Sequence, residues 1–204
     1  MREQTVVVGV LADTHLPHRM SRLPEAVPRI FEGVDLILHA GDVDRIEQLH
    51  ELAALAPLHA VRGNLHFSDL SDGGLDLPAE LQLTIAGRRV VVSHGGWPHL
   101  VSQAGDWIVE SMLGFDGDRL NRRIAGRLAR LYPRADVIVF GHSHHVYQAW
   151  HKAAFIFNPG GVCPTRRRVP SVGKLYLGPN TVEAEVIALA EAGPLHLARR
   201  PDRK

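Results

Sequence analysis

Cysteine is nearly absent: Cys163 stands alone among 204 residues. One thiol cannot close an intrachain disulfide, and no cysteine-based zinc site can be built from it. An excess of charge is lacking too. Twenty-three Lys and Arg stand against 22 Asp and Glu, for a formal net charge of +1. Total charge therefore implies no broadly basic surface for nucleic acid. No apolar run approaches a membrane span. The apolar run at residues 6–12 is too short for a secretory core and stops at Asp13, so no signal peptide is read and a cytoplasmic location is the expectation. Internal repeats and linkers are also lacking. One domain is expected over residues 1–190, with residues 191–204 as an Arg-rich, frayed tail.

Histidine, by contrast, is plentiful. Thirteen are dispersed along the chain rather than set in a row, which directs attention to a metal site of nitrogen and oxygen ligands. The chain is 45% hydrophobic, enough for one large core. Its apolar runs are short and β-branched. Residues 5–11 (TVVVGVL), 34–39, 58–62 and 137–140 read as buried strands. Helices are expected at 24–32, 44–54, around 106–113, and where Leu120, Ile124, Leu128 and Leu131 recur, with Asp118 as the cap. Residues 81–85 and 89–92 form a hairpin around Gly87, and 171–177 and 181–189 a closing hairpin around Gly178. Segments 146–150 and 154–157 are also strand-like. The opening βαβαβ pattern implies a partly parallel sheet covered by helices, with an antiparallel part added. The expected class is α/β.

The strand ends carry the chemistry. They present Asp13 and His15, then Asp42, Asn64, His94, and finally His142 and His144. Gly141 is expected to turn the last strand into its two histidines. Ligands in parallel α/β sheets bind beyond the carboxyl ends of strands. Alone, Asp13 or Asp42 is a turn or cap residue and Asn64 a plain turn. Scattered polar residues would also fall in helices and mid-loop, whereas these seven gather at strand ends. His39 is read as a satisfied buried histidine behind the site. Seven ligands exceed one zinc, which takes three or four. They suit two ions about 3.5–4 Å apart that clamp both oxygens of an in-line displacement. Asp42 is the natural bridge, with Asp13, His15 and His144 on one ion and Asn64, His94 and His142 on the other. Two divalent ions, two carboxylates and a bridging hydroxide leave a positive site, which selects an anionic, phosphoryl-type substrate. The donors suit manganese, iron, cobalt, nickel or zinc over copper(I).

The motifs Asp13-Thr14-His15, Gly41-Asp42, Gly63-Asn64, His94-Gly95 and Gly141-His142-Ser143-His144, in this order, resemble those of the calcineurin-like metallophosphoesterases. The likeness spans about residues 6–189 and is closest to the small, single-domain YfcE-type phosphodiesterase branch. Leu77-Pro78 and Asn158-Pro159-Gly160-Gly161 add to it. The resemblance implies a two-sheet α/β sandwich of mixed strands flanked by helices. It also implies a dimetal centre, with manganese first and nickel next. The expected activity is phosphodiester hydrolysis through a two-metal bridging hydroxide, with Asp42, Asn64 and His94 in the catalytic set.

Two departures stand out. Relatives place a proton-donating His, or a Cys in the small branch, where this chain has Leu65; His66 is the candidate replacement. Gly96 stands where relatives often have a second His. Arg166, of the run Arg166 to Arg168, is the candidate phosphate contact, since Arg grips phosphate oxygens bidentately. Trp97, His99 and Trp107 are candidates for the substrate mouth, His99 as a substrate-binding residue. Cys163 is read as a packing residue, and His18 and His145 as exposed. The expected partner is a small phosphoester. Membrane and nucleic acid are not expected, and a homo-oligomer stays open. The alternatives are a phosphomonoesterase or a catalytically weak interaction scaffold.

Overall fold

The computed structural model describes residues 5–17, 19–45, 47, 49–64, 77–96, 116–165, 168–189 and the backbone of 194–195. The first sheet takes β1 (Val6–Leu11), β2 (Leu36–His39), β3 (Leu58–Ala60), β9 (Ser171–Leu177), β10 (Val182–Ala188) and β11 (Pro194–Leu195). Its order is β11-β10-β9-β1-β2-β3. β1, β2 and β3 run parallel, and β9 pairs antiparallel with β1. The second sheet takes β4 (Glu80–Ile85), β5 (Arg88–Ser93), β6 (Val137–Val139), β7 (Tyr147–His151) and β8 (Ala154–Asn158), in the order β4-β5-β6-β8-β7. β5, β6 and β8 are parallel, with antiparallel β4 and β7 at the edges.

The period-two alternation of strands separates three apolar layers. Val8, Val10, Leu38, Val90, Val92, Val137, Val139, Phe157 and Leu175 pack between the sheets. Leu11, Ile37 and Val172 face outward onto Val27 and Phe31 around α1 (Ala26–Ile30), and onto Leu49 and Leu52 of α2 (Leu49–Ala53). Val91, Ile138 and Ile156 face Ile124, Ala125 and Leu128 of α3 (Gly117–Leu131). The result is the expected two-sheet α/β sandwich. Among the described residues no helix is long and apolar enough to cross a membrane.

Several expectations are corrected. Asp116, not Asp118, caps α3, accepting from the Arg119 amide at 3.0 Å. Leu131 is 62% exposed, so the buried stripe of α3 ends at Leu128, and Asn121 is buried in its place. α2 starts at Leu49 rather than residue 44, because Asp44 takes a left-handed φ of 69° and bridges to Leu16. Of the residues from 191 onward only the backbone of Pro194–Leu195 is described, and it pairs antiparallel with β10. The helix expected around 106–113 lies outside the described residues.

Candidate metal centre

The carboxyl ends of both sheets meet at one place. β1 delivers Asp13 and His15, β2 Asp42, the chain after β3 Asn64, β5 His94, and the loop after β6 His142 and His144. Cross-loop backbone bonds hold the segments together: Asp13 N to Gly41 O at 2.9 Å, His15 N to Asp42 O at 2.9 Å, and Gly141 N to His94 O at 3.2 Å. Asp13, His15, Asp42, Asp44, His142 and His144 all have φ between 50° and 73°. Non-glycine residues there cost on the order of 1–3 kcal/mol each and persist where their surroundings over-determine them, typically at functional sites. The turn after β6 is thus made by the histidines themselves rather than by Gly141. A Cβ on Gly141 would lie 2.8 Å from both Ala12 Cβ and Ala40 O, so glycine serves close approach there.

Asp13, His15, Asp42 and His94 are buried, and Asn64, His142 and His144 are half-buried. Asp42 Oδ2 is central, 3.5 Å from His15 Nε2 and 3.3 Å from His94 Nε2. Asp42 Oδ1 accepts the Asn64 backbone amide at 2.8 Å. The Asn64 side-chain amide lies 2.9 Å from His142 Nδ1. His15 and His144 stack at 5.3 Å, with their Nε2 atoms 3.3 Å apart. Asp13, His15 and His144 bring one ligand atom each within 4.8 Å of one another, and so do Asp13, Asp42 and His94. Asp13 therefore reaches both groups, whereas the expected bridge between them was Asp42.

The fit to a cation rests on atoms that nothing satisfies. Asp13 Oδ2 and His94 Nε2 are buried and make no hydrogen bond, while the unpartnered Nδ1 of His144 lies toward Gly161 and its Nε2 faces the centre. Buried polar groups rarely go without a partner unless an ion or water completes them. His94 Nδ1 donates to Ala40 O at 2.9 Å, which leaves Nε2 facing Asp42. With carboxylates and imidazoles but no thiolate, the donor set suits a hard to borderline divalent ion.

The electrostatics agree. Burial opposes ionisation of Asp42, but the charge of the adjacent His94, with His15 and the Asn64 amide, holds its carboxyl well below the usual range. Burial also opposes protonation of His94, yet Asp42, Asp13 and the Ala40 carbonyl raise its pKa to about 9. Burial, reinforced by the His94 charge, lowers His142 and His39 to about 3. His144 is lowered mainly by burial. Without a cation, a proton on His94 answers the two carboxylates, and a divalent ion would displace it.

His39 behaves as expected behind the site. Its Nδ1 accepts from Gly41 N at 3.2 Å, so Nε2 carries the proton and donates to Thr14 Oγ1 at 3.1 Å. Thr14 in turn donates to Asp42 O. The groups supporting the Gly141–His144 loop were not anticipated. Ser143 Oγ donates to Asn121 Oδ1 at 2.7 Å, and Asn158 Nδ2 donates to Gly141 O at 2.9 Å and Ser143 Oγ at 3.1 Å. Arg168 donates to the Ser143 carbonyl and Arg127 to the carbonyls of Gly95 and Gly96. At Gly96 a Cβ would come 2.3 Å from Asn64 Oδ1. Glycine at this position leaves the space that Asn64 uses. Cys163 is buried, its thiol pushed up by burial, in keeping with a packing role. His145 pairs with Asp118 at 3.0 Å. His18, Leu65, His66, Trp97, His99, Trp107 and Arg166 lie outside the described residues.

The profile of the calcineurin-like phosphoesterase superfamily domain matches residues 6–177. A probable metallophosphoesterase of Methanothermobacter thermautotrophicus is 33% identical over 185 residues, covering 89% of this chain and 92% of its own length. Another from Methanocaldococcus jannaschii is 32% identical over 189 residues, covering 92% and 83%. Among solved structures, vacuolar protein sorting 29 of Cryptosporidium parvum superposes with a TM-score of 0.69 at 18% identity, covering 93% and 94%. An archaeal phosphodiesterase superposes with a TM-score of 0.59 at 20% identity, covering 89% and 100%. At these identities the structures speak for the fold alone.

Proposed function

The chain belongs to the calcineurin-like phosphoesterase superfamily, and from that premise we propose that it is a metal-dependent phosphodiesterase acting on small phosphodiesters. Asp13, His15, Asp42, Asn64, His94, His142 and His144 would hold two divalent ions, manganese first among them. The observation that carries this reading is the pair of overlapping ligand groups, Asp13 with His15 and His144 and Asp13 with Asp42 and His94, in which the buried His94 Nε2 makes no hydrogen bond and faces Asp42 Oδ2 at 3.3 Å. The diester preference draws on the family branch and on the fold shared with an archaeal phosphodiesterase.

A bound pair of ions supplies a water acidified toward neutral pH and a positive clamp for phosphoryl oxygens. The chain's own groups prepare the place for it. The Ala40 carbonyl holds the proton of His94 on Nδ1 and leaves Nε2 bare. The Asn64 backbone amide fixes one Asp42 oxygen and frees the other to sit between His15 and His94. The His142 amide fixes Asp13 Oδ1 at 3.1 Å. These fixed dipoles need no reorganisation when charge grows on the phosphoryl group. His66 is assigned the proton for the leaving group, and Arg166 and His99 the substrate contacts.

The test is hydrolysis of an aryl phosphodiester and its matched monoester by metal-stripped protein. Manganese, nickel, zinc and magnesium are added back separately, with Asn64→Ala as control. The reading expects metal-restored cleavage that favours the diester and collapses in the control. Faster monoester cleavage would make it a phosphomonoesterase. No turnover with two ions bound would make it a binding protein.

A further inference from the structure

A second carboxylate stands behind the metal-facing histidine of β1. Asp44 Oδ1 lies 3.3 Å from His15 Nδ1, and both side chains are buried. The opposite ring nitrogen, Nε2, faces Asp42 Oδ2 at 3.5 Å and His144 Nε2 at 3.3 Å. The His15 ring is therefore held at Nδ1 by Asp44 and across its face by His144, which stacks within 8° of parallel. The backbone sets Asp44 in place. Residues 13–16 and 42–45 run side by side through His15 N to Asp42 O at 2.9 Å, the Leu16–Asp44 bridge, and Arg45 N to Leu16 O at 3.2 Å. Asp44 takes a left-handed φ of 69° to do so. A helix beginning at residue 44 would turn this side chain away from His15.

We propose that Asp44 is a positioning residue: it accepts the Nδ1 proton of His15 and so leaves the Nε2 lone pair bare toward the metal centre. In a neutral imidazole one nitrogen donates and the other accepts, and the partner of one decides the role of the other. Two carboxylates compete for the His15 proton. With Asp44 removed, Asp42 Oδ2 draws it onto Nε2, the atom that must be bare to bind a cation. His94 is set the same way by the Ala40 carbonyl. Asp44 gives His15 the anionic version of that arrangement, which also strengthens the ring as a donor. The inference rests on the metal-centre reading, and its first readout does not.

The first readout is the His15 tautomer in metal-stripped protein, taken from its side-chain nitrogen and proton shifts by NMR. Wild type is expected to carry the proton on Nδ1. Asp44→Asn keeps an acceptor oxygen and should keep that tautomer, whereas Asp44→Ala should move the proton to Nε2. The second readout is manganese binding by equilibrium dialysis. Asp44→Ala should weaken one of the two sites about 10–100-fold, the usual effect of losing such a support. Asp44→Asn should stay within a few-fold of wild type. An Nε2 proton on wild-type His15 overturns the proposal, even if Asp44→Ala fails to fold. So does an Asp44→Ala protein with unchanged tautomer and two undiminished sites. If wild type binds no manganese, the metal-centre reading falls and the tautomer still decides the role of Asp44.

Discussion

Replacing Asn158 with Ala should loosen the Gly141–His144 loop by a measurable amount. Asn158 is fully buried at the end of β8. Its Nδ2 donates to Gly141 O and Ser143 Oγ, and its Oδ1 accepts Gly160 N at 2.9 Å. The two acceptors keep other partners: Gly141 O still receives Ser143 N at 2.9 Å, and Ser143 Oγ still receives the His145 amide. Those two losses cost about 1 kcal/mol each, and the Gly160 N–H, stripped of its Asn158 acceptor, about 1–3 kcal/mol more. The total is about 3–5 kcal/mol, which for a domain of this size lowers Tm by roughly 6–20 °C. The assay is urea unfolding of metal-stripped protein, read as a lower midpoint with an unchanged slope. Asn158→Asp turns an acceptor toward Gly141 O and should do no better. A loss under about 1 kcal/mol in Asn158→Ala would refute the reasoning, because the loop would then be held by something other than this network.

The remaining predictions are narrower. Gly96→Ala should leave Tm almost unchanged, because the clash falls on the side-chain oxygen of Asn64 rather than on backbone, yet weaken manganese binding; a titration matching wild type contradicts this. In metal-free protein, burial lowers His39 and His142 from 6.5 to about 3. Below pH 6.5 the unfolded chain therefore binds more protons, and stability should be lost as pH falls from there toward 3. His94 runs the other way: burial opposes its charge, the carboxylates Asp42 and Asp13 raise it from 6.5 to about 9, and its contribution is complete below pH 6.5 and lost as pH rises through 9. A thermal midpoint still climbing between pH 7 and 9.5 contradicts that assignment. Leu65 cannot donate a proton, and general-acid help is worth about 10²–10⁴ in rate. The proton assigned to His66 should therefore matter most for poor leaving groups: His66→Ala should slow alkyl esters far more than aryl esters, and equal losses would count against this.

The layers and the gathering of the seven residues were readable in the sequence because both follow from local pattern. Runs such as Val137, Ile138 and Val139 declare a strand covered on both faces, and Asp13, Asp42 and His94 each follow such a run. Asp44 was hidden because its role depends on a neighbouring loop. Read locally, it begins a helix; in place, it bridges to Leu16 and turns to His15. Asn121 was hidden in the same way. It sits on α3 among apolar neighbours and is buried because Ser143 and the His145 carbonyl, more than twenty residues away, satisfy its amide. Asp118 looked like a cap by residue type, but the backbone bond goes to Asp116, one residue before Gly117. The left-handed backbone at His142 and His144 could not be read from histidine alone, because positive φ is uncommon outside glycine even though histidine is enriched there.

The most direct test of the two-ion phosphodiesterase is turnover of an aryl phosphodiester measured against manganese bound per chain. Metal-stripped protein is equilibrated at graded manganese, and bound ion and initial rate are read on the same samples. The account predicts that turnover rises with the second ion bound and is nearly absent at one. Full turnover at one ion per chain, or none at two, would contradict it.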